Sequence, residues 1–452
     1  MSSARKFIIR TLGCKANQYD GQLLREDLLN RGFVEWGGDG DVELCVINTC
    51  TVTAESDAKC RQAIRGLKRD NPDARIIVTG CYAHVNSEVV RGIPGVDAVL
   101  DNPSKETLAE RVCELFHVEH RSFVPPSSRI TFFSGHTRAF VKIHDGCDKR
   151  CSYCIVPLAR GRSRSRQIED IVREVEGLVG NGYREVVLTG IHIGSFGTEE
   201  GRKENRLPEL LESLRGIEGL IRVRLSSIDP NEITTALVEA IGNSPQICRH
   251  LHVPLQSGSD AILRGMNRDY TQEAYLETVR LLKKELPGIS VTTDVMVGFP
   301  GETDEDFEES RRAVAQAEFS KVHIFPFSSR PGTPAHRFAG AVPLEAIRER
   351  VAQLASDAKA AALKSKRGFR GAVVEVLVER EVDARDREKL PPSFKIPDKA
   401  YEGFSSNYLR TVFTSKGAGI EQLKNRLVHV RVETFNDRYL CGRQVQVAPP
   451  RA

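Results

Sequence analysis

Short apolar runs separated by polar turns recur through the first quarter of the chain. Lys6–Leu12, Glu43–Asn48 and Arg75–Thr79 are rich in Ile and Val, and each leads into a stretch with helical spacing. Ser56 is the expected N-cap of a helix over Asp57–Arg69, which Asn71-Pro72 would end. Strands and helices alternating at these lengths predict a parallel sheet with helices on its faces, reaching to about Val118. Beyond a linker around Pro125-Pro126-Ser127-Ser128 the alternation resumes. Strands are expected at Glu185–Leu188, Arg222–Leu225, Leu251–Pro254, Ser290–Met296 and Lys321–Phe325. About 230 residues of β/α units, ending near Lys364, predict a partial (β/α) barrel. The last section reads differently: Val373–Val378, Tyr408–Phe413 and Leu427–Val432 are β-branched runs between Gly- and Pro-containing loops. They predict a small all-β unit, a five-stranded barrel. The fold class is therefore α/β with an all-β tail.

Composition narrows the picture a little. Hydrophobic residues make up 40% and charged residues 28% of the 452, as in ordinary globular proteins. No window holds the eighteen or so apolar residues of a membrane span, and the N-terminus lacks a signal-peptide pattern. The expectation is a cytoplasmic protein with no membrane partner. The net charge of +4 is uneven: from Lys366 onward there are 17 basic and 11 acidic residues, a net +6. A basic tail suits a polyanion; a solvated surface is the plainer alternative.

Eleven cysteines in a cytoplasmic chain point to metal or redox chemistry rather than disulfides. Cys147, Cys151 and Cys154 form C-x3-C-x2-C. Three thiolates this close can wrap one soft-metal centre but leave it one ligand short. A four-iron cubane held by three cysteines has one iron open to a small molecule; structural zinc would need a fourth ligand, for which His144 is the only neighbour. Cys14, Cys50 and Cys81 each follow a predicted strand directly, in IIRTLGC, CVINTC and IIVTGC. The carboxyl ends of parallel strands share one edge, so these three converge as a second set. Cys45, Cys60, Cys113, Cys248 and Cys441 read as packing residues.

Two three-cysteine sets in this order, followed by a small basic barrel, resemble the methylthiotransferase family of radical S-adenosylmethionine (SAM) enzymes. The segments Thr11–Gln18 and Leu188–Ser195 are most similar to the bacterial branch acting on threonylcarbamoyladenosine in tRNA. The resemblance implies an N-terminal methylthiotransferase domain (residues 3–118), a radical SAM core (133–364) and a TRAM RNA-binding domain (367–447). It implies two 4Fe-4S clusters, at Cys14, Cys50 and Cys81 and at Cys147, Cys151 and Cys154. The second would pass an electron to SAM, and the resulting radical would take hydrogen from the adenine. The first would carry sulfur for methylation by a second SAM. An electron donor and a sulfur source of unknown identity are further partners. Tyr153 matches an aromatic position beside the cofactor's adenine, and Gly190 a segment contacting its amino group. Ser227, at a strand end, is placed to reach a ribose, and Asp294 is a cofactor contact or a satisfied buried carboxylate. His144 stands where that branch is expected to have Gln. Arg160, Arg162, Arg164 and Arg166 are expected to contact substrate or cofactor. Phe404 and Tyr408 are either base-stacking or core aromatics. Alternative substrates are isopentenyladenosine in tRNA and a ribosomal protein. A non-catalytic RNA-binding protein with structural zinc is the alternative of another class.

Overall fold

The apolar runs at the start of the chain form a five-stranded parallel sheet in the order β2-β1-β3-β4-β5. Its strands are β1 (Lys6–Thr11), β2 (Val34–Glu35), β3 (Leu44–Thr49), β4 (Arg75–Gly80) and β5 (Ala98–Val99). Every residue of β3 is buried, because a parallel sheet is covered on both faces. Side chains alternate across it. Leu44 and Val46 join Phe7, Leu24 and Leu28 in one core. Cys45 and Ile47 join Cys60, Ile64 and Val78 in the other. The computed structural model describes residues 5–102, 107–116, 129–199, 205–396, 399–417 and 419–446. The expected linker at 125–128 and the expected domain limits 3, 118 and 447 lie outside the described residues.

Helix α1 (Lys15–Asn30) follows β1 and α2 (Ala54–Asp70) follows β3. The cap of α2 is Thr53 rather than Ser56: the Thr53 hydroxyl accepts the Ser56 N–H, so the helix begins one turn earlier than its sequence suggests. Both residues are good caps, and the first one in the chain takes the role.

The chain divides into two compact units. The first comprises Met1–Asn181, Leu188–Glu204 and Ser328–Arg337. Besides the sheet it contains β6 (Ala139–Asp145), paired antiparallel with the short β7 (Arg164–Ser165). Strand β8 (Glu185–Gly190) begins in the second unit and ends in the first. The second unit contains β9 (Arg222–Leu225), β10 (His250–His252), β11 (Ser290–Val297) and β12 (Lys321–Pro326). The last three are parallel neighbours, and single parallel bridges join Val223 to Ile247 and Ser227 to His252. Helices such as Gln272–Glu285 and Asp304–Ala317 separate the strands, giving the β/α repetition of the expected partial barrel.

The second unit ends in the expected all-β tail, a closed barrel of order β13-β14-β15-β17-β16. Its strands are β13 (Val373–Glu381), β14 (Tyr401–Ser405), β15 (Arg410–Thr414), β16 (Leu427–Phe435) and β17 (Tyr439–Val445). The expected strand start at Tyr408 is shifted to Arg410, because Tyr408 lies in a turn at φ 60° with its N–H donated to the Ser405 carbonyl at 2.9 Å.

Two buried arginines of β9 fasten the barrel to the β/α strands. Arg224 donates to Glu185 Oε1 at 3.0 Å and to the carbonyls of Ser405 and Ser406. Arg222 reaches the Glu375 carboxylate at 2.9 Å and the Phe404 carbonyl at 3.1 Å. Tyr408 stacks on Phe404, its centroid 4.8 Å away. The Arg224 guanidinium lies 4.5 Å from the Tyr408 ring, and the His250 ring is 4.8 Å from it. Phe404 and Tyr408 thus serve this joint rather than a base-stacking surface.

Candidate metal centre

Cys14, Cys50 and Cys81 follow β1, β3 and β4, three adjacent strands. Cys14 is the N-cap of α1, and Cys81 opens the short helix α3 (Cys81–Val85). Gly13 has φ 99°, and a Cβ there would lie 2.5 Å from Cys50 Cβ and 2.7 Å from its Sγ. Only glycine lets the Cys14 loop approach Cys50 this closely. Asn17 fixes the loop by donating to the carbonyls of Leu12 and Thr49 at 2.5 and 3.2 Å. Burial pushes the Cys50 thiol above its usual range, and the nearby Cys14 and Cys81 charges push the same way. Three thiolates sharing so small a space repel one another unless a cation neutralises them.

Cys147, Cys151 and Cys154 lie on the loop after β6, all half-buried. Gly146 turns this loop at φ 71°, where a Cβ would come within 1.8 Å of the Arg162 carbonyl oxygen. The Cys147 N–H donates to Gly161 at 3.1 Å and that of Cys154 to Cys151 at 3.0 Å. The three cysteines line a cleft of about 570 Å³ with Lys149, Arg150, Arg162 and Thr333.

Both sets belong to the first unit, and three residues tie them together. Asn102 donates from Nδ2 to Cys81 Sγ at 3.6 Å and to the Ala159 carbonyl at 2.5 Å. Arg160, six residues beyond Cys154, donates to Asp145 Oδ1 at 2.9 Å, Asp20 Oδ2 at 3.1 Å and Asn17 Oδ1 at 3.2 Å. Asp20 and Asp145, and behind them Cys81 and Cys14, hold this guanidinium charged against its burial. Arg330 donates to Thr51 Oγ1 and Asp57 Oδ2, both at 2.6 Å, securing the turn after Cys50. Five residues on, the Ala335 N–H donates to the Ser152 carbonyl at 2.8 Å, between the last two cysteines. Of these, sequence reading singled out Arg160 alone, as a substrate or cofactor contact. Its fork is engaged inside the fold, as is that of Arg166, which pairs with Glu174 at 2.5 Å. Arg162 and Arg164 remain exposed.

A zinc ion is a poor fit to either set. Tetrahedral Zn–S bonds of about 2.3 Å place sulfurs about 3.8 Å apart. Among the described residues neither triad has its three sulfurs within 4.8 Å of one another; a cubane holds its sulfurs farther apart than one ion does. His144 does not close a site either. Its Nε2 lies 2.8 Å from Ser163 Oγ, and burial, then the neighbouring His192, pull its pKa down to about 4.

The other candidates are more dispersed. Tyr153 is half-buried on the second loop. A Cβ on Gly190 would fall 2.7 Å from the His144 carbonyl oxygen, so packing alone requires glycine there. Ser227 and Asp294 belong to the second unit. Asp294 is not fully buried: its side chain is 30% exposed and pairs with His252 Nε2 at 3.3 Å.

The first unit also has a basic cleft of about 880 Å³. Arg10, Lys59, Arg61, Arg65 and Arg69 line it, with Asp70 the acidic member. Positions 58, 62, 65 and 69 recur at helical spacing along α2. Arg10 and Arg65 make no ion pair among the described residues.

These features match known proteins. Residues 141–314 fit the radical SAM superfamily, and residues 6–101 fit the uncharacterized protein family UPF0004. The fold is shared with the radical SAM methyltransferase TsrM of Kitasatospora setae, with a TM-score of 0.55 and 17% identity over 74% of this chain and 77% of that one. Fold and thiolate loops together define a radical SAM enzyme. Its curated relatives narrow the class. The threonylcarbamoyladenosine tRNA methylthiotransferase MtaB of Bacillus subtilis is 36% identical, covering 97% of this chain and 96% of its own. That of Chlamydia pneumoniae is 41% identical, covering 96% and 97%. The tRNA-2-methylthio-N(6)-dimethylallyladenosine synthase of Acidothermus cellulolyticus is 34% identical, covering 98% and 92%. The chain belongs to the radical SAM methylthiotransferase family, whose cofactors are SAM and 4Fe-4S clusters.

Proposed function

We propose that this enzyme adds a methylthio group to C2 of N6-threonylcarbamoyladenosine at position 37 of tRNA, beside the anticodon. In this reading it uses two SAM molecules and two 4Fe-4S clusters. The observation that carries it is the pair of three-thiolate loops in one unit, linked through Asn102 and Arg160. Cys14, Cys50 and Cys81 hold one cluster, and Cys147, Cys151 and Cys154 hold the other. When bound, these groups supply the radical that removes hydrogen from the base, and the sulfur and methyl that replace it.

The protein's own part is positioning. Asn102 sets Cys81 against the backbone of the second loop, and Arg160 fixes the helical turn Val156–Arg160 to α1. Lys149, Arg150 and Arg162 around the cleft suit a carboxylate or phosphate. Tyr153, Gly190, Ser227 and Asp294 are kept as candidate SAM contacts. The 3–118, 133–364 and 367–447 sections act as the methylthiotransferase, radical SAM and RNA-binding domains. A tRNA partner is supported by the names of the relatives, by the basic tail and by the basic cleft along α2. Such a substrate places the enzyme in the cytoplasm. An electron donor and a sulfur source complete the reaction. No helix among the described residues is long and apolar enough to cross a membrane.

The test is anaerobic reconstitution with SAM, a reductant and threonylcarbamoyl-modified tRNA, followed by nucleoside mass analysis. A methylthio product is expected. Its absence with eight irons bound per chain would overturn the substrate assignment.

A further inference from the structure

Ten residues beyond Cys50, a further cysteine stands beside the first thiolate set. Cys60 lies on α2, fully buried among Cys45, Ile47, Ile64 and Val78. Packing accounts for that burial but not for where its sulfur points. Strands β3 and β4 end their pairing at Thr49 and Gly80, so Cys50 stands just past the ladder. Its main-chain groups turn to Cys60 instead. The Cys50 N–H donates to Cys60 Sγ at 3.4 Å, and the Cys60 S–H donates to the Cys50 carbonyl at 3.3 Å. Cys50 is only 7% exposed, and buried main-chain groups need such partners.

A carbonyl can only accept, so this contact keeps the thiol proton on Cys60. Cysteine ligates metal as the thiolate, and Cys60 belongs to no group of three potential ligands within 4.8 Å among the described residues. A neighbour on the same helix face holds the next residue of the turn. Asp57, three positions before Cys60, accepts from the Thr51 hydroxyl at 2.7 Å. One face of α2 thus grips Cys50 and Thr51 in succession. The Cys50 side chain is hemmed in as well, since Gly13 leaves no room beside it for a Cβ.

We propose that Cys60 is a positioning residue for the cluster assigned to Cys14, Cys50 and Cys81. It fixes the main chain of Cys50, and so the aim of that thiolate, without being a ligand itself. This rests on the cluster assignment of the proposed function. A fourth thiolate would close the iron that three cysteines leave open; a thiol turned to the backbone leaves it free. Groups that orient a metal ligand in this way are worth about 10–100-fold in metal affinity.

The experiment uses the full chain, reconstituted anaerobically, with Cys151→Ala in every protein so that only the first set holds a cluster. The readouts are the rate of iron loss to a chelator and the electron paramagnetic resonance spectrum of the reduced cluster. Cys60→Ala removes both contacts and should release iron at least about tenfold faster, with a shifted spectrum. Cys60→Ser keeps a donor and an acceptor and should restore both readouts. Cys45→Ala removes the same atoms from the same core at the opposite end of β3, and should match the parent. Equal rates and spectra in Cys60→Ala and Cys45→Ala would reduce Cys60 to packing and overturn the proposal. A loss in Cys60→Ser as complete as in Cys60→Ala would make the sulfur itself a ligand, which overturns it too. No readout involves tRNA, so a wrong substrate leaves the result standing. Absence of iron from the Cys151→Ala parent would defeat the cluster assignment, and this inference with it.

Discussion

Arg160 and Asp20 form a buried ion pair, Nη2 to Oδ2 at 3.1 Å, with side chains 3% and 5% exposed. The two residues lie 140 positions apart, one just after each thiolate loop, so the pair holds the loops in a fixed relation. Lys142 and Asp145 complete the network, at 2.5 Å to Asp20 and 2.9 Å to Arg160. Removing one partner leaves the others buried without compensation, which costs about 3–5 kcal/mol. Arg160→Ala should lower the urea midpoint accordingly. It should also reduce iron retained per chain after gel filtration, whereas Arg162→Ala, on the exposed side, should change neither.

The two triads should fail differently. Cys151→Ala should leave about half of the iron and sulfide and abolish 5′-deoxyadenosine formation from SAM. Cys50→Ala should leave a similar fraction but keep that formation, losing the methylthio product instead. Iron and sulfide assays with product chromatography separate the two. Identical phenotypes for both variants would contradict the division of labour.

Much of this was legible in the chain itself. A cysteine at the end of each of three parallel strands has one geometric consequence, and β1, β3 and β4 are indeed neighbours. The small barrel was readable from its β-branched runs, although β14 and β17 carry Glu402, Gly403, Arg443 and Gln444, which break the apolar pattern. What the sequence hid is long-range pairing. Asn102 and Arg330 meet their partners across 57 and 279 positions, and neither sits in a run that local patterning can mark. Arg160 and Arg166 look like a phosphate-binding series with Arg162 and Arg164. Only the positions of Asp20 and Glu174 show that the first and last members turn inward.

The basic cleft on α2 should bind RNA by charge. Arg10, Arg61 and Arg65 have no ion pair among the described residues, and Arg61 is engaged by the Tyr82 hydroxyl, so the cations of Arg10 and Arg65 are most available to phosphate. Arg65→Glu should weaken tRNA affinity regardless of the modification at position 37. It should also flatten the plot of log K against log salt, by about one unit for each phosphate left unneutralised. Anisotropy titrations at several salt concentrations measure both. An unchanged slope would place the RNA elsewhere.

The joint between the β/α strands and the all-β barrel depends on Arg224. Its side chain and that of Glu185 are each 1% exposed, and its fork meets three acceptors at once. Arg224→Met leaves the Glu185 carboxylate buried beside Arg222 alone, and should cost about 3–5 kcal/mol. Arg224→Lys should rescue little, because a point charge does not reproduce a planar fork. Limited proteolysis reads the outcome: the barrel should become separable in both variants and remain protected in wild type.

His144 makes the fold sensitive to acid. Its folded pKa of about 4 lies below the ordinary histidine value of about 6.5. Above that value both states are neutral there and the residue adds no pH dependence. As pH falls from about 6.5 to 4, the unfolded chain takes up a proton that the folded chain refuses, so stability is lost across this window, by about 3 kcal/mol in all. Below pH 4 the folded form protonates too and the loss levels off. His144→Gln introduces the residue that the family resemblance leads one to expect, keeps a donor for Ser163 and removes the titration. Urea midpoints at about pH 7 and about pH 4.5 should therefore converge more closely in His144→Gln than in wild type. Parallel losses in the two proteins would assign the acid sensitivity to other groups.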